Sequence, residues 1–168
     1  MKRELLRGMM LPELLVIVVL VEMLAVFAVP SLTQLVESNR SRALTELLRA
    51  TLIQARTHSI LSNRDVRVCG SSDGLQCDGD WQRGWLVLDS SDAPLSSHQL
   101  ATYDQLHWLG FANEIRFRRN GTAPLGNGRF VICQRSRGVG WQLILNRQGR
   151  IRGVAGLESG QTPPAVCP

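Results

Sequence analysis

The amino-acid sequence predicts an α+β protein in which a long N-terminal helix, membrane-spanning in its first half and amphipathic in its second, packs on a small antiparallel β-sheet domain. Three observations carry that expectation. An apolar run from Met9 to Val29 follows a short basic leader. Residues 31–62 contain no Gly or Pro and repeat apolar side chains at helical spacing. Beyond them, apolar and polar residues alternate with a period of two between turn signals. A chain of 168 residues holds one domain with a real hydrophobic core beside the apolar N-terminus. The expected division is 1–8, 9–29, 30–62 and 63–168.

Residues 1–8 read MKRELLRG and supply Lys2, Arg3 and Arg7. As a helix, residues 9–29 would span about 30 Å, the thickness of a bilayer's hydrocarbon core, with the positive flank kept in the cytoplasm. A cleavable secretory signal is the competing reading, because Val26-Phe27-Ala28 offers small residues where signal peptidase would act. Two features oppose it. Glu13 and Glu22 fall inside the apolar run, where each charge costs about 2.5–3.5 kcal/mol on insertion. The helical pattern also continues: Leu32, Leu35, Val36, Ala43, Leu47 and Ala50 form the face expected to dock on a domain, after a kink at Pro30.

In the β region, Val66, Val68, Leu86, Leu88, Ile115, Phe117, Phe130, Ile132, Leu143 and Leu145 alternate with polar residues, as strands with one buried face should. Trp81, Trp85, Trp108 and Trp141 read as core or sheet-packing residues. The segments Arg119-Asn120-Gly121-Thr122 and Asn146-Arg147-Gln148-Gly149 supply the Asn and Gly that tight turns need. Four cysteines, Cys69, Cys77, Cys133 and Cys167, follow an export-like N-terminus and favour disulfides. Three pairings are open to them. Cys69 with Cys77 would close a short Gly/Ser/Asp-rich loop, and Cys133 with Cys167 would tie down the C-terminal tail; these are the favoured pair. A zinc site is disfavoured, because no CxxC occurs and His58, His98 and His107 lie near no cysteine in sequence.

Charge is unevenly spread over a chain of net +5 in which Lys2 is the only lysine. Residues 9–113 hold seven arginines against eleven acids, whereas residues 114–168 hold nine arginines against Glu114 and Glu158. The C-terminal third is the electropositive end, and polyanions are the partners it suits. Asp73, Asp78 and Asp80 lack EF-hand spacing, no nucleophile stands beside a suitable His base, and no phosphate-cradling glycine loop occurs. The sequence therefore reads as a binding or structural protein, with no catalytic residue, cofactor or metal expected.

Gly8, an apolar stretch with Glu13 five residues on, and Pro30 ahead of an amphipathic helix together resemble type IV pilins and type II secretion pseudopilins. That resemblance implies cleavage after Gly8 by a prepilin peptidase and methylation of the new N-terminus at Met9. It also implies that Glu13 neutralises the N-terminal amine of a neighbouring pilin subunit, an arrangement lipid favours because either charge alone is costly there. The family pattern has Phe where Met9 stands and an apolar residue where Glu22 stands. Pro12 lies in the first turn, where amides lack intrahelical acceptors. The location implied is the bacterial inner membrane, single-pass with the globular part in the periplasm, and the pilus after assembly.

The segments ALTELLRATLIQARTHSI, VRVC, WQRGWLVLD, IRFRRNGTA, RFVIC and WQLILNRQGRIR are similar to the GspH/FimT group of minor pilins and pseudopilins over most of the chain. Gly149-Arg150-Ile151-Arg152 resembles the GRxR DNA-binding element of FimT-type minor pilins, which implies a part in DNA uptake during natural transformation. In a strand, Arg150 and Arg152 would extend from one face while Ile151 packs beneath. Arg147, Arg135 and Arg137 join them on charge and proximity alone, as guanidiniums suited to bidentate phosphate contacts. Such binding would be independent of base sequence and weakened by salt. Two further readings stay open: solvated strand-edge arginines that resist edge-to-edge pairing, and a structural subunit that primes filament assembly without touching DNA.

Overall fold

The computed structural model describes residues 11–101, 104–134 and 138–167, with side chains for all of these except 25–30. The expected leader, with Gly8 and Met9, lies outside the described residues, as do Arg135 and Arg137. The chain divides into two compact units, residues 1–37 and 38–168. Helix α1 (Leu11–Leu61) accounts for the described part of the first and opens the second, and it runs unbroken past Pro30.

In the first unit, every side chain from Leu11 to Leu24 is exposed along the helix, as are Leu32, Leu35 and Val36. Among the described residues no helix is long and apolar enough to cross a membrane, and only 11–24 of the expected 9–29 span are described with side chains. Glu13 and Glu22 stand nine positions apart, two and a half helical turns, and so occupy opposite sides of α1.

Among the described residues the second unit carries eight strands: β1 (Val66–Gly70), β2 (Gly84–Leu88), β3 (Pro94–Gln99), β4 (Leu106–Gly110), β5 (Glu114–Phe117), β6 (Gly128–Gln134), β7 (Gly138–Leu145) and β8 (Ile151–Ala155). They form two four-stranded antiparallel sheets, the first in the order β3-β2-β1-β5 and the second β4-β6-β7-β8. One core joins them. Leu44, Leu48, Leu52 and Ala55 of α1 meet Val66, Val68, Trp85, Val87 and Phe117 of the first sheet and Phe130, Ile132, Leu143 and Leu145 of the second. Trp81 closes the core edge-on to Phe130 at 4.9 Å, and its indole N–H donates to the Asn113 carbonyl.

Two expectations about faces are corrected. The buried stripe of α1 is Ser41, Leu44, Thr45, Leu48, Leu52, Ala55 and Ser59, whereas Ala43, Leu47 and Ala50 face solvent; Leu47 is 42% exposed and Leu48 fully covered. The period was correct but the face was not, because two stripes of similar greasiness run side by side and the sheets select the one whose Ser41 and Thr45 are also satisfied. Thr45 donates to the Ser41 carbonyl, and Ser41 Oγ accepts from Gln134 Nε2 at 2.6 Å, tying the helix to the end of β6. In β2, Trp85 and Val87 enter the main core, while Leu86 and Leu88 pack with Cys69 on the opposite face of that sheet. Both faces of this central strand are covered, so its pattern does not alternate.

The structure contains the disulfides Cys69–Cys77 and Cys133–Cys167. The first straps the 71–80 loop to β1. The second pins the C-terminal segment against β6, where Cys133 and Cys167 share an apolar cluster with Val131 and Val139.

Candidate nucleic-acid interface

The Asn146–Arg150 turn joins β7 to β8, the edge strand of the second sheet. Asn146 organises it: its side-chain oxygen accepts from the N–H groups of Gln148 and Arg150, and its own N–H donates to the Arg150 carbonyl. Gly149 is required here. Its φ is +73°, and a Cβ would lie 2.2 Å from the Gly121 carbonyl oxygen. That close approach locks the turn onto its neighbour, the Arg118–Thr122 turn after β5. Arg56 of α1 secures both, donating to the Gly121 and Gln148 carbonyls at 2.9 and 3.3 Å.

Arg147 and Arg150 stand exposed on this turn, and among the described residues neither guanidinium has an acidic partner. Arg150 precedes β8 rather than belonging to it, so the expected two-pronged strand is in fact one arginine on a turn and one on a strand. Ile151 packs against the core, as alternation requires. Arg152 therefore lies on the outer face, in register with Ile144, which in turn faces Arg129 on β6. At the usual spacing between strands, Arg129 and Arg152 sit about 10 Å apart on one surface.

Arg152 is not free. Its guanidinium donates to Glu158 at 2.5 Å, and this contact holds the Glu158 carboxyl below its ordinary value, with Arg129 adding a smaller pull. Gln161 donates to the second Glu158 oxygen, and its own side-chain oxygen accepts from Gln142 of β7. The segment after β8 is thus clamped so that an acid sits on one expected contact residue. Sequence reasoning missed Glu158 as a partner and Arg129 as a neighbour. The first is joined across a turn and the second through strand register, which local spacing does not reveal.

Arg147 and Arg150 give the turn an exposed cationic surface. Among the described residues no group of three or more His, Cys, Asp or Glu could hold a metal ion. The sequence profile of the family described as Type II transport protein GspH matches residues 44–149, most of the second unit. The chain belongs to the GspH family. Solved structures of type IV and type II minor subunits agree with this family's fold. The type IV minor pilin FimU of Pseudomonas aeruginosa is 26% identical with a TM-score of 0.55, covering 76% of this chain and 94% of that one. A second crystal form of FimU gives 26% and 0.52, with coverage of 67% and 91%. The minor pseudopilin EpsH from the type 2 secretion system of Vibrio cholerae shares the fold at 16% identity and a TM-score of 0.52, covering 68% and 96%. No curated protein sequence matches the chain. This GspH-family chain is therefore a minor pilin or pseudopilin of the type IV and type II systems. The family match ends at Gly149, so Arg150 and Arg152 stand just beyond it.

Proposed function

We propose that this protein is a minor type IV pilin that holds DNA through its C-terminal arginines and takes part in DNA uptake for natural transformation. The supporting observation is the Asn146–Arg150 turn, whose exposed Arg147 and Arg150 project from a backbone locked by Asn146, Gly149 and Arg56. A rigid turn carrying unpaired guanidiniums suits phosphate contacts, because little further ordering is needed on binding. Arg152 is the second prong once a phosphate displaces Glu158. Arg135 and Arg137 belong to the same proposal on charge alone. Cys133–Cys167 keeps the neighbouring tail in place during that exchange.

The N-terminal half of the reading completes the proposal. Cleavage by prepilin peptidase after Gly8 leaves Met9 as a methylated N-terminus. Residues 9–29 anchor the subunit in the inner membrane as a single pass, with the globular domain periplasmic until the pilus forms. Glu13 meets the N-terminal amine of a neighbouring pilin, and the exposed Leu32, Leu35 and Val36 suit contact with other subunits.

The second reading, a structural subunit or type II secretion pseudopilin that primes assembly without binding DNA, draws support from the Arg152–Glu158 pair, which satisfies one prong internally. The two readings separate in the native host. With Arg150→Ala and Arg152→Ala introduced at the chromosomal copy, filament number and DNA uptake are scored independently. Loss of uptake with normal filaments is expected; loss of filaments, with no DNA binding by the purified wild-type protein, would favour the structural role.

A further inference from the structure

A groove of about 760 Å³ opens where the end of α1, the start of β1, the β2–β3 turn and the end of β5 converge. Five arginines line it: Arg64, Arg67, Arg116, Arg118 and Arg119. Three aspartates line it too, and each is engaged within the protein. Asp92 and Glu114 both bind Arg67, and Glu114 also binds Arg116 at 3.0 Å. Asp65 accepts the backbone N–H of Arg119. Asp89 accepts from the Ser91 hydroxyl and from the Ser91 and Ala93 N–H groups, which hold its carboxyl below the usual range, with a smaller pull from Arg64. Among the described residues the Arg118 and Arg119 guanidiniums have no acidic partner, and both are exposed.

We propose that this groove is a second contact site for the phosphodiester backbone of double-stranded DNA, continuous with the arginine turn. The inference rests on the DNA-binding reading given above and extends it to residues remote in sequence. Continuity comes from the paired turns. Arg118 and Arg119 lie on the turn that abuts the one bearing Arg147 and Arg150, linked by the Ala123 N–H donating to the Arg147 carbonyl and by Arg56 bonded to both. One end of the domain thus carries two adjacent cationic faces. Every side chain lining the groove is polar or charged. Proteins that hold single strands stack bases on aromatic side chains, and this lining of arginine, aspartate, asparagine and serine offers no aromatic platform, while its guanidiniums suit phosphate. A duplex, whose bases are already stacked, is the form of DNA that such a surface suits.

The test uses the full-length oxidised protein in detergent micelles, titrated with a short labelled duplex at several salt concentrations. Arg118→Ala with Arg119→Ala should weaken binding about tenfold at low salt and lower the slope of log K against log salt by about two. The matched lysine pair should keep most of that slope, and thermal stability should be unchanged in both, since among the described residues neither guanidinium has an acidic partner. Wild-type affinity and slope in the alanine pair, with binding lost in Arg150→Ala plus Arg152→Ala, would overturn the groove while leaving DNA binding standing. An unaltered single strand bound more tightly than the duplex would overturn it as well. Absence of binding by the wild type would end both proposals.

Discussion

Arg152 donates to Glu158 at 2.5 Å across a separation of six residues, so an internal acid occupies a guanidinium that the proposed DNA contact would use. In the proposed role, a phosphate has to displace that carboxylate before Arg152 contributes. Glu158→Gln removes the competing charge and keeps the side chain's shape. DNA affinity should rise several-fold, most at low salt, where electrostatic terms are least screened. The contact holds the Glu158 carboxyl below 4.5, so the pair persists at neutral pH. Salt-dependent titrations of the two proteins check this, and identical isotherms would mean that Arg152 takes no part.

Gly149→Ala forces a side chain into positive φ and against the Gly121 carbonyl. A penalty of at least about 2 kcal/mol is expected. Because the same contact locks the arginine turn, DNA affinity should fall together with the melting temperature.

Leu48→Ala and Leu47→Ala test the corrected helix face. Leu48 is fully buried, so its loss should cost about 2–5 kcal/mol. Leu47 is exposed, and its replacement should stay within about 0.5 kcal/mol. Denaturant melts of the two variants separate the stripes directly.

Stability should also fall as the solution is acidified. Burial lowers the His107 pKa from 6.5, so the folded state resists the proton that the unfolded chain accepts. That contribution is intact above about pH 6.5 and is lost as pH falls through the lower folded value. Asp73, Asp78 and Asp89 carry lowered values held by local hydrogen bonds, and their contributions disappear below their ordinary 3.8. Melting temperature against pH should show two declines, and His107→Gln should remove the upper one.

Mass spectrometry of the mature protein reports on the N-terminus independently. A chain beginning with methylated Met9 is expected; one beginning at Val29 would mean an ordinary secreted protein.

The α+β class was legible because its signals are local: helical period before residue 62, period two after it, and glycines at the turns. Gly121 and Gly149 do adopt positive φ, while Asn120 and Asn146 act through their side-chain oxygens instead. Strand β3 was not anticipated, since its Pro-Leu-Ser-Ser-His-Gln sequence lies largely exposed on a sheet edge and has no buried face to advertise. Leu47 and Leu48 are equally apolar, and only the docked sheets distinguish them. Arg150 and Arg152 were visible as a short motif, whereas Arg118, Arg119 and Arg129 reach the same end of the domain through turn contacts and strand register. Glu158 was counted as a charge but not recognised as a partner, because the turn that returns it to Arg152 depends on Gln161 and Gln142.

The most direct measurement is the affinity of the full-length oxidised protein for duplex DNA, compared with Arg150→Ala plus Arg152→Ala across a range of salt. Marked weakening and a shallower salt dependence are expected, with a melting temperature that changes little because the Arg152–Glu158 pair is exposed. Equal affinity and equal salt dependence in the two proteins would contradict a DNA-holding role for these arginines.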